Sequence, residues 1–241
     1  MAVDCNNTVN YSFPHLVNNA GLATVNDRDT EDGLRIVMGV NHFGVHYLTS
    51  LLLPDLLPKS VKDAPNENRI VLVASDAHIY GSIDLEDLDL RGIGGEDSNI
   101  IESFEAYAVS KLANIIETRA LAKRLAGSGV TVNCVHPGFI ATEISREATG
   151  WLRIPYLFAA NIIAMDVNQG AQNSVWAATS PLLKGKTGGY YKHFTLTTPK
   201  ITFKQEVPSE SAEDIFWAET CKITKTPNFQ SWTELVERDS A

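Results

Sequence analysis

Short apolar runs alternate with longer helical patterns along most of the chain. The clearest run, Arg69 to Ala74, reads Arg-Ile-Val-Leu-Val-Ala, and similar strands are predicted at His15 to Val17 and Thr131 to Val135. Strands that are apolar throughout are typical of parallel sheets with both faces covered by helices. We therefore predict an α/β fold, a doubly wound parallel sheet with helices on both faces, from Leu16 to about residue 195.

The remaining predicted elements are one more strand, four helices and one long surface excursion. They are a strand near Gly189 to Lys192; helices from about Thr30 to Leu57 with an interruption near Asn41 to Gly44, from about Phe104 to Ala126, after Asp166 through about Thr179, and near Ser211 to Thr224; and the excursion Asp84 to Ile101. Gly127 and Gly129 are expected to end the second helix, because glycine stops helices.

Length and composition indicate one globular domain. The chain has 241 residues, of which 44% are hydrophobic and 20% charged, which suits a soluble protein with a sizeable core. We predict a single domain with an atypical N-terminus at 1–14, a core at 15–195, and a C-terminal extension with a helix at 196–241.

Charge and cysteine usage exclude several classes of function. The net charge is −9, and lysines and arginines are not clustered, so nucleic acid is not expected as a partner. Three cysteines stand far apart, which predicts no metal site and favours a reducing compartment. No apolar run approaches the ~20 residues of a membrane span, and the first residues do not form a signal peptide.

Tyr107 and Lys111 are four residues apart on a predicted helix, so their side chains point the same way. A lysine ammonium within ~4–6 Å of a phenol lowers the tyrosine pKa from its usual ~10. Such a pair can act as a general acid or base near neutral pH. For the spacing alone, an exposed helix face is the more common explanation, so the pair needs support from the rest of the chain.

That support comes from the residues that follow the predicted strands. Asn18-Asn-Ala-Gly21 follows the first, Ser75-Asp-Ala-His78 the second and His136-Pro-Gly138 the third, and Tyr107 is expected to open the helix leading into the third strand. In doubly wound sheets, ligands bind outside the carboxyl ends of strands. This ordered set resembles the short-chain dehydrogenase/reductase family, whose fold is Rossmann-like, from Leu16 to about Lys192.

The resemblance implies a catalytic role for four residues. Tyr107 would exchange a proton with the substrate oxygen, while Lys111 would lower the pKa of Tyr107 and hold the nicotinamide ribose. Ser75 would bond the substrate carbonyl where negative charge develops. Asn41, within Val40-Asn-His-Phe-Gly44, would help to hold a water that links Lys111 to solvent.

The family also implies a nicotinamide cofactor, NAD or NADP. Besides Tyr107 and Lys111, two sets of residues would contact it: the turn Asn18, Asn19, Ala20 and Gly21 beside the ribose, and the loop residues Pro137, Gly138, Ile140 and Thr142 on the carboxamide and pyrophosphate side. The residue type that distinguishes NAD from NADP lies before Asn18 in the family, so both cofactors stay open.

Several phrases resemble the retinol dehydrogenase and WW-domain oxidoreductase branch, among them Ser75-Asp-Ala-His78 and Ser110-Lys-Leu-Ala-Asn114. That branch implies lipophilic alcohols and carbonyls, such as retinoids or steroids, as substrates. The apolar segment Trp151 to Met165 suits a substrate pocket or lid, and equally a helix core, a dimer surface or a membrane-surface contact. The expected location is intracellular, either cytoplasmic or peripheral to an internal membrane.

The region before Asn18 departs from the family pattern. Family members have a strand, a glycine-rich phosphate turn and two further strand units there, whereas 17 residues precede Asn18 and Met1 to Pro14 carries no such turn. We expect the N-terminal strands of the fold to be missing and an apolar edge to be exposed. Lower stability, or dimerisation with the same or another chain, would follow.

Two functional hypotheses remain from different classes. The first is an oxidoreductase that transfers hydride between a nicotinamide cofactor and a lipophilic alcohol or ketone. The second is a non-catalytic form that retains Ser75, Tyr107 and Lys111 but acts by associating with a full-length relative or another protein. Cofactor binding separates the two, because the first hypothesis alone requires it.

Overall fold

Four parallel strands and one antiparallel strand form the sheet. The computed structural model describes residues 14–24, 26–57, 68–93, 95, 98–138 and 167–239. The strands lie in the order β1-β2-β3-β4-β5, and the β4–β5 pair is antiparallel. Their bounds are β1 His15–Asn18, β2 Asn68–Val73, β3 Val130–His136, β4 Tyr190–Lys192 and β5 Thr195–Thr197. The predicted parallel sheet is therefore confirmed, and β5 is an element that the sequence did not predict.

Helices cover both faces of this sheet, as predicted. They are α1 Ile36–Leu56, α2 Ile100–Arg124, α3 Val167–Thr179, α4 Ser209–Thr224 and α5 Trp232–Asp239. Short 3-10 turns occupy Asp76–Tyr80 and Pro181–Leu183. The predicted interruption of α1 is real: Gly39–Phe43 is a π-helical turn, a rare feature often found at functional sites.

Helix α2 begins earlier than predicted, at Ile100. The Asn99 side chain accepts hydrogen bonds from the first turn and the Glu102 side chain bonds back to Asn99, which forms a capping box. Tyr107 therefore lies about two turns inside α2, and the expectation that it opens the helix is wrong. Helix α1 starts late, at Ile36, because Thr30 and Leu34 close a separate turn before it.

Part of the predicted surface excursion is core. Leu88 and Leu90 are 4% and 1% exposed and pack with Ile83 in a cluster that includes Val109 and Leu112 of α2. The acidic and glycine-rich composition of this stretch concealed two leucines that anchor it. The interpretation of the whole stretch as a surface excursion is therefore wrong for these positions.

The two faces of the sheet carry different cores, because side chains alternate along a strand. On one face, Ile70 and Leu72 of β2 pack in a cluster with residues of α1, α2 and α4. On the other face, Val71 and Val73 pack with Ala177 of α3. Because β1, β2 and β3 pair in parallel, their carboxyl ends lie side by side, with α1 and α2 against one face of the sheet.

Strand β1 forms one edge of the described sheet, and apolar groups are exposed on the neighbouring helix α1. Tyr47, Leu48 and Leu51 are 48%, 46% and 58% exposed, and they share one face of α1. Val17 of β1 is 40% exposed. The apolar surface expected from the sequence is thus present in the described residues, while dimerisation through it stays a prediction.

Helix α1 is the one helix of the described residues that could cross a membrane by length and composition. Half of its apolar window is buried inside the fold, and Met38 and Leu56 have no exposed surface. Core helices of soluble proteins pass the same test, so this is weak evidence for a span.

The 3-10 turn after β2 is pressed against α2 at Gly81. A Cβ atom at this position would lie 2.8 Å from the carbonyl oxygen of Ala108 and 3.0 Å from the nitrogen of Val109. Both atoms belong to a buried helical backbone that cannot move aside easily. Glycine at this position therefore allows the turn that begins at Ser75 to contact α2 next to Tyr107.

We predict that Gly81→Ala lowers the free energy of unfolding by about 1–3 kcal/mol, because overpacking against backbone forces a shift. Gly92→Ala is the matched control, since a Cβ there meets only the Asp87 carboxylate, at 3.3 Å. Urea unfolding followed by circular dichroism measures both variants. Equal stability of the two variants would contradict the prediction.

A buried ion pair joins α1, α2 and the C-terminal segment. His46 Nδ1 donates to Glu117 Oε1 at 2.8 Å, and both side chains are at most 3% exposed. His46 Nε2 donates to Thr226 Oγ1 at 2.8 Å, and Cys221 Sγ lies 3.8 Å away. Burial by itself lowers the pKa of His46, but the Glu117 carboxylate, helped by Cys221, outweighs it and raises the pKa to about 9.

The pair should make stability depend on pH. The folded pKa of His46, about 9, lies above its ordinary 6.5, so the stabilisation is complete below pH 6.5 and is lost as pH rises through 9. The pKa of Glu117 is lowered from 4.5 despite burial, so the stabilisation is also lost in acid. We expect the largest contribution between pH 4.5 and 6.5.

Glu117→Gln should cost about 3–5 kcal/mol at pH 6, because one partner of a buried pair is removed. It should also remove this decline of stability between pH 6.5 and 9. Glu219→Gln, which breaks an exposed pair with Lys222, is the control and should change little. Urea unfolding at four pH values measures the free energy of unfolding. If this free energy declined between pH 6.5 and 9 in Glu117→Gln as it does in the unmodified protein, the prediction would be refuted.

Candidate active site

Lys111 is a buried cation that faces Tyr107. Lys111 is only 3% exposed, and its Nζ lies 5.5 Å from the centroid of the Tyr107 ring. The ammonium donates to the carbonyl oxygen of Val73, at the end of β2, at 3.2 Å. Burial lowers the pKa of Lys111 to about 8. The group is therefore mostly protonated at neutral pH, and the predicted juxtaposition of cation and phenol is present.

Asn41 connects the turn after β1 to α2. The π-helical turn places Asn41 in the interior, where its Oδ1 accepts from Leu22 N and its Nδ2 donates to Leu22 O, both at 2.8 Å. The same Nδ2 donates to Ser110 Oγ at 2.9 Å, and Ser110 Oγ donates to Tyr107 O at 2.7 Å. One amide side chain thus fixes the backbone of Leu22 relative to that of Tyr107.

Gly21 completes this meeting point. A Cβ at Gly21 would lie 3.1 Å from Lys111 Nζ and 3.2 Å from Asn41 Oδ1. The turn after β1, the π-helical turn of α1 and the middle of α2 therefore converge within contact distance. Of the sequence-predicted residues, Gly21, Asn41, Tyr107 and Lys111 are brought together here.

Ser75 lies directly after β2 and caps the 3-10 turn. Its Oγ accepts from Ala77 N at 3.2 Å, and its carbonyl oxygen bonds to His78 Nδ1 at 2.7 Å. The cap uses an oxygen lone pair, so the hydroxyl proton can be donated elsewhere. Ser75 follows Val73, the acceptor for Lys111, by two residues, which places it at the same end of the sheet.

A polar network holds the residue after Ser75, and sequence reasoning missed it. The Asp76 carboxylate accepts from Tyr190 Oη at 3.1 Å and contacts Lys192 Nζ, while His136 Nε2 lies 3.5 Å away. His136 Nδ1 accepts from Asp76 N at 3.2 Å. Burial lowers the pKa of His136 to about 4, although Asp76 opposes this. A neutral His136 with its proton on Nε2 satisfies both contacts.

Two further polar residues of α2 belong to the site region. Asn114 Nδ2 donates to Val73 O at 3.3 Å, the acceptor that Lys111 also uses, and Ser110 bonds Asn41 as described. Ser110 follows Tyr107 by three residues, and Asn114 follows Lys111 by three residues. A polar side chain on an otherwise apolar helix face was the signal that could have identified them.

The other predicted cofactor residues are spread around this centre. Asn18 donates from Nδ2 to Thr49 Oγ1 at 2.8 Å and so secures α1 to β1, whereas Asn19 and Ala20 are exposed. Pro137 and Gly138 directly follow β3, and Gly138 has a φ of +95°. Two predicted residues, Ile140 and Thr142, and the apolar segment Trp151 to Met165 lie outside the described residues.

Within the described residues, no group of three or more His, Cys, Asp and Glu side chains is arranged to hold a metal ion.

Comparison with known proteins finds one matching family model and several curated relatives that are named as dehydrogenases. A family model described as Enoyl-(Acyl carrier protein) reductase matches residues 94–182, which include Tyr107 and Lys111. Human retinol dehydrogenase 14 is 41% identical over 180 residues, 73% of this chain and 49% of that protein. The chloroplastic short-chain dehydrogenase TIC 32 B of Brassica napus is 35% identical over 187 residues, 76% of this chain and 56% of that protein. The chain therefore spans about half the length of these curated relatives.

A solved structure shares the fold. The crystal structure of an uncharacterised protein from Mycobacterium Paratuberculosis superposes with a TM-score of 0.59 at 29% identity, covering 88% of this chain and 67% of that one. The curated relatives, which include a named short-chain dehydrogenase, agree with the α/β fold, and the chain belongs to the short-chain dehydrogenase/reductase family.

Proposed function

We propose that this chain carries the catalytic residues of an oxidoreductase that transfers hydride between NAD or NADP and a lipophilic alcohol or ketone. The observation that carries the proposal is the buried Lys111 ammonium, 5.5 Å from the Tyr107 ring centroid. A charge buried at this cost needs a reason, and stabilising a phenolate that forms during the reaction is one.

Each polar side chain of the site then has a chemical role in the reaction. The Tyr107 hydroxyl exchanges a proton with the substrate oxygen, while the Lys111 ammonium stabilises the phenolate when the proton has left. The Ser75 hydroxyl donates to the same substrate oxygen as negative charge develops on it. Asn41 fixes the backbone on which Tyr107 stands. A bound nicotinamide supplies or accepts the hydride.

The residues present fit the ribose of such a cofactor. An ammonium has three protons, and in the described part of the chain Val73 O is the acceptor that Lys111 contacts. Gly21 lies against the ammonium with no side chain of its own, so a diol can approach from the turn after β1. The positive φ of Gly138, +95°, marks the loop that would receive the carboxamide side, together with Pro137.

The substrate class and surroundings are proposed from the relatives. Retinol dehydrogenase 14 acts, by its name, on retinol, an apolar alcohol, which supports a lipophilic substrate. Such substrates partition into lipid, so a location at the surface of an internal membrane suits the activity. A cytoplasmic location is the alternative. The exposed face of α1 around Tyr47 and Leu51 supports association with a second copy or a longer relative.

Tyr107→Phe should reduce kcat/KM for an alcohol with NAD or NADP by about 10²–10⁴-fold, because it removes the general acid/base hydroxyl. Its binding of NADH and NADPH, measured by nucleotide fluorescence, should stay near that of the unmodified protein. Tyr47→Phe is the control, because Tyr47 is an exposed tyrosine on α1, and it should keep full activity. Cofactor binding with equal turnover in both variants would refute the role of Tyr107. No binding at millimolar nucleotide would favour the non-catalytic hypothesis.

The Lys111 ammonium should titrate near pH 8, since burial penalises its charged form. NMR of protein labelled with ¹³C and ¹⁵N at lysine side chains measures this, and Lys111→Arg identifies the resonance. Surface lysines such as Lys222, whose side chain is 75% exposed, serve as reference resonances. A Lys111 resonance that titrates near the ordinary ~10.4 of a lysine would contradict the buried environment.

A further inference from the structure

Two exposed aromatic rings stand beside the candidate site. Tyr80 is 68% exposed and Phe104 is 46% exposed, and their ring centroids lie 5.7 Å apart with a tilt of 57°. This is a favourable geometry for an aromatic pair. Large apolar groups that stay clustered in water commonly mark a binding surface.

Phe104 lies on the same side of α2 as the acid/base pair. It precedes Tyr107 by three residues and Lys111 by seven, so the three side chains follow one face of the helix. Phe104 is the member of this row nearest the start of α2 and the most exposed, since Tyr107 is half-buried and Lys111 buried. The helix therefore presents an aromatic ring one turn outward from Tyr107.

Tyr80 approaches the same point from the other catalytic element. It is the last residue of the 3-10 turn that Ser75 caps, and Gly81 presses the following backbone against Ala108. The contact between Tyr80 and Phe104 thus joins the Ser75 turn to α2 at the level of Tyr107.

Two aliphatic residues extend this surface. Ile101, one turn before Phe104, is 75% exposed, and Ile79, next to Tyr80, is 40% exposed. We call the four residues Ile79, Tyr80, Ile101 and Phe104 the aromatic ledge. None of the four carries a formal charge, so the ledge is suited to hydrocarbon.

We infer that the aromatic ledge binds the apolar chain of the substrate, and that Tyr80 and Phe104 set a preference for long apolar alcohols and ketones over short ones. The inference rests on the proposed function, since the occupant follows from the ledge lying on the two elements that carry Ser75 and Tyr107. A substrate oxygen held by those two hydroxyl groups leaves its hydrocarbon chain next to the rings. Covering them removes apolar surface from water, which favours binding in proportion to chain length.

The test compares all-trans-retinol with 2-propanol as substrates of the full chain. Tyr80→Ala and Phe104→Ala should each raise KM for retinol by about tenfold, a typical effect of removing apolar contacts. Their KM for 2-propanol should stay unchanged, because that alcohol is too short to cover the ledge. Tyr80→Phe keeps the ring and should behave like the unmodified protein. Leu182→Ala is the control for loss of an exposed apolar group elsewhere, because Leu182 is 70% exposed in the turn Pro181–Leu183.

A second readout separates this inference from the proposed function. Retinol binding without cofactor is followed by retinol fluorescence in the same five proteins, and the two alanine variants at the ledge should show a Kd about tenfold higher. If no protein binds nucleotide or turns over, but the ledge variants still weaken retinol binding, the proposed function fails and the ledge stands. If turnover occurs and the ledge variants match the unmodified protein with retinol in both assays, the ledge is refuted and the proposed function stands. Absence of retinol binding and of retinol turnover in the unmodified protein also refutes the ledge.

Discussion

The burial of helix α2 on nearly all sides is the constraint on which the rest of the structure depends. Every residue from 108 to 118 is buried, and a helix in that position must be covered all round. The sheet, α1 and α4 supply the cover, with Trp217 of α4 in the same cluster as Ile115. The C-terminal extension is therefore part of the core, because without α4 one side of α2 would face water.

Because α2 is buried, its polar side chains need hydrogen-bond or ion-pair partners inside the fold. Lys111 and Asn114 share the Val73 carbonyl, and Glu117 pairs with His46. An unpaired charge in these places would cost several kcal/mol. The site and the structural ion pair thus arise from one requirement, applied at different turns of α2.

Helix α1 forms hydrogen bonds both at the candidate site and with helix α4. Its π-helical turn carries Asn41 toward Leu22 and Ser110, and the next residue, His42, bonds Thr220 of α4 through Nε2 at 3.1 Å. Burial lowers the pKa of His42 to about 4, so His42 is neutral beside the charged His46. The side of the candidate site at Asn41 is consequently held by buried hydrogen bonds, while the side at Tyr80 and Phe104 is exposed and apolar. This asymmetry supports the proposal that one side holds the reacting oxygen and the other the hydrocarbon of the substrate.

The sequence by itself determined the parallel strands, because short, continuous apolar runs such as Ile70 to Ala74 are typical of strands buried on both faces. It also determined the pairing of Tyr107 with Lys111, since helical spacing fixes which side chains are neighbours. The capping box of Asn99 and Glu102 is a local sequence pattern, but it begins inside a stretch whose composition predicts surface.

Only the tertiary structure decided the partners of the buried polar groups. His42 and Thr220 are 178 residues apart, and no local pattern specifies which distant group will satisfy a buried donor. The same holds for the meeting of Tyr80 with Phe104, which depends on the close approach of Gly81 to α2. Local periodicity sets elements, whereas desolvation and packing across the whole chain select the contacts between them.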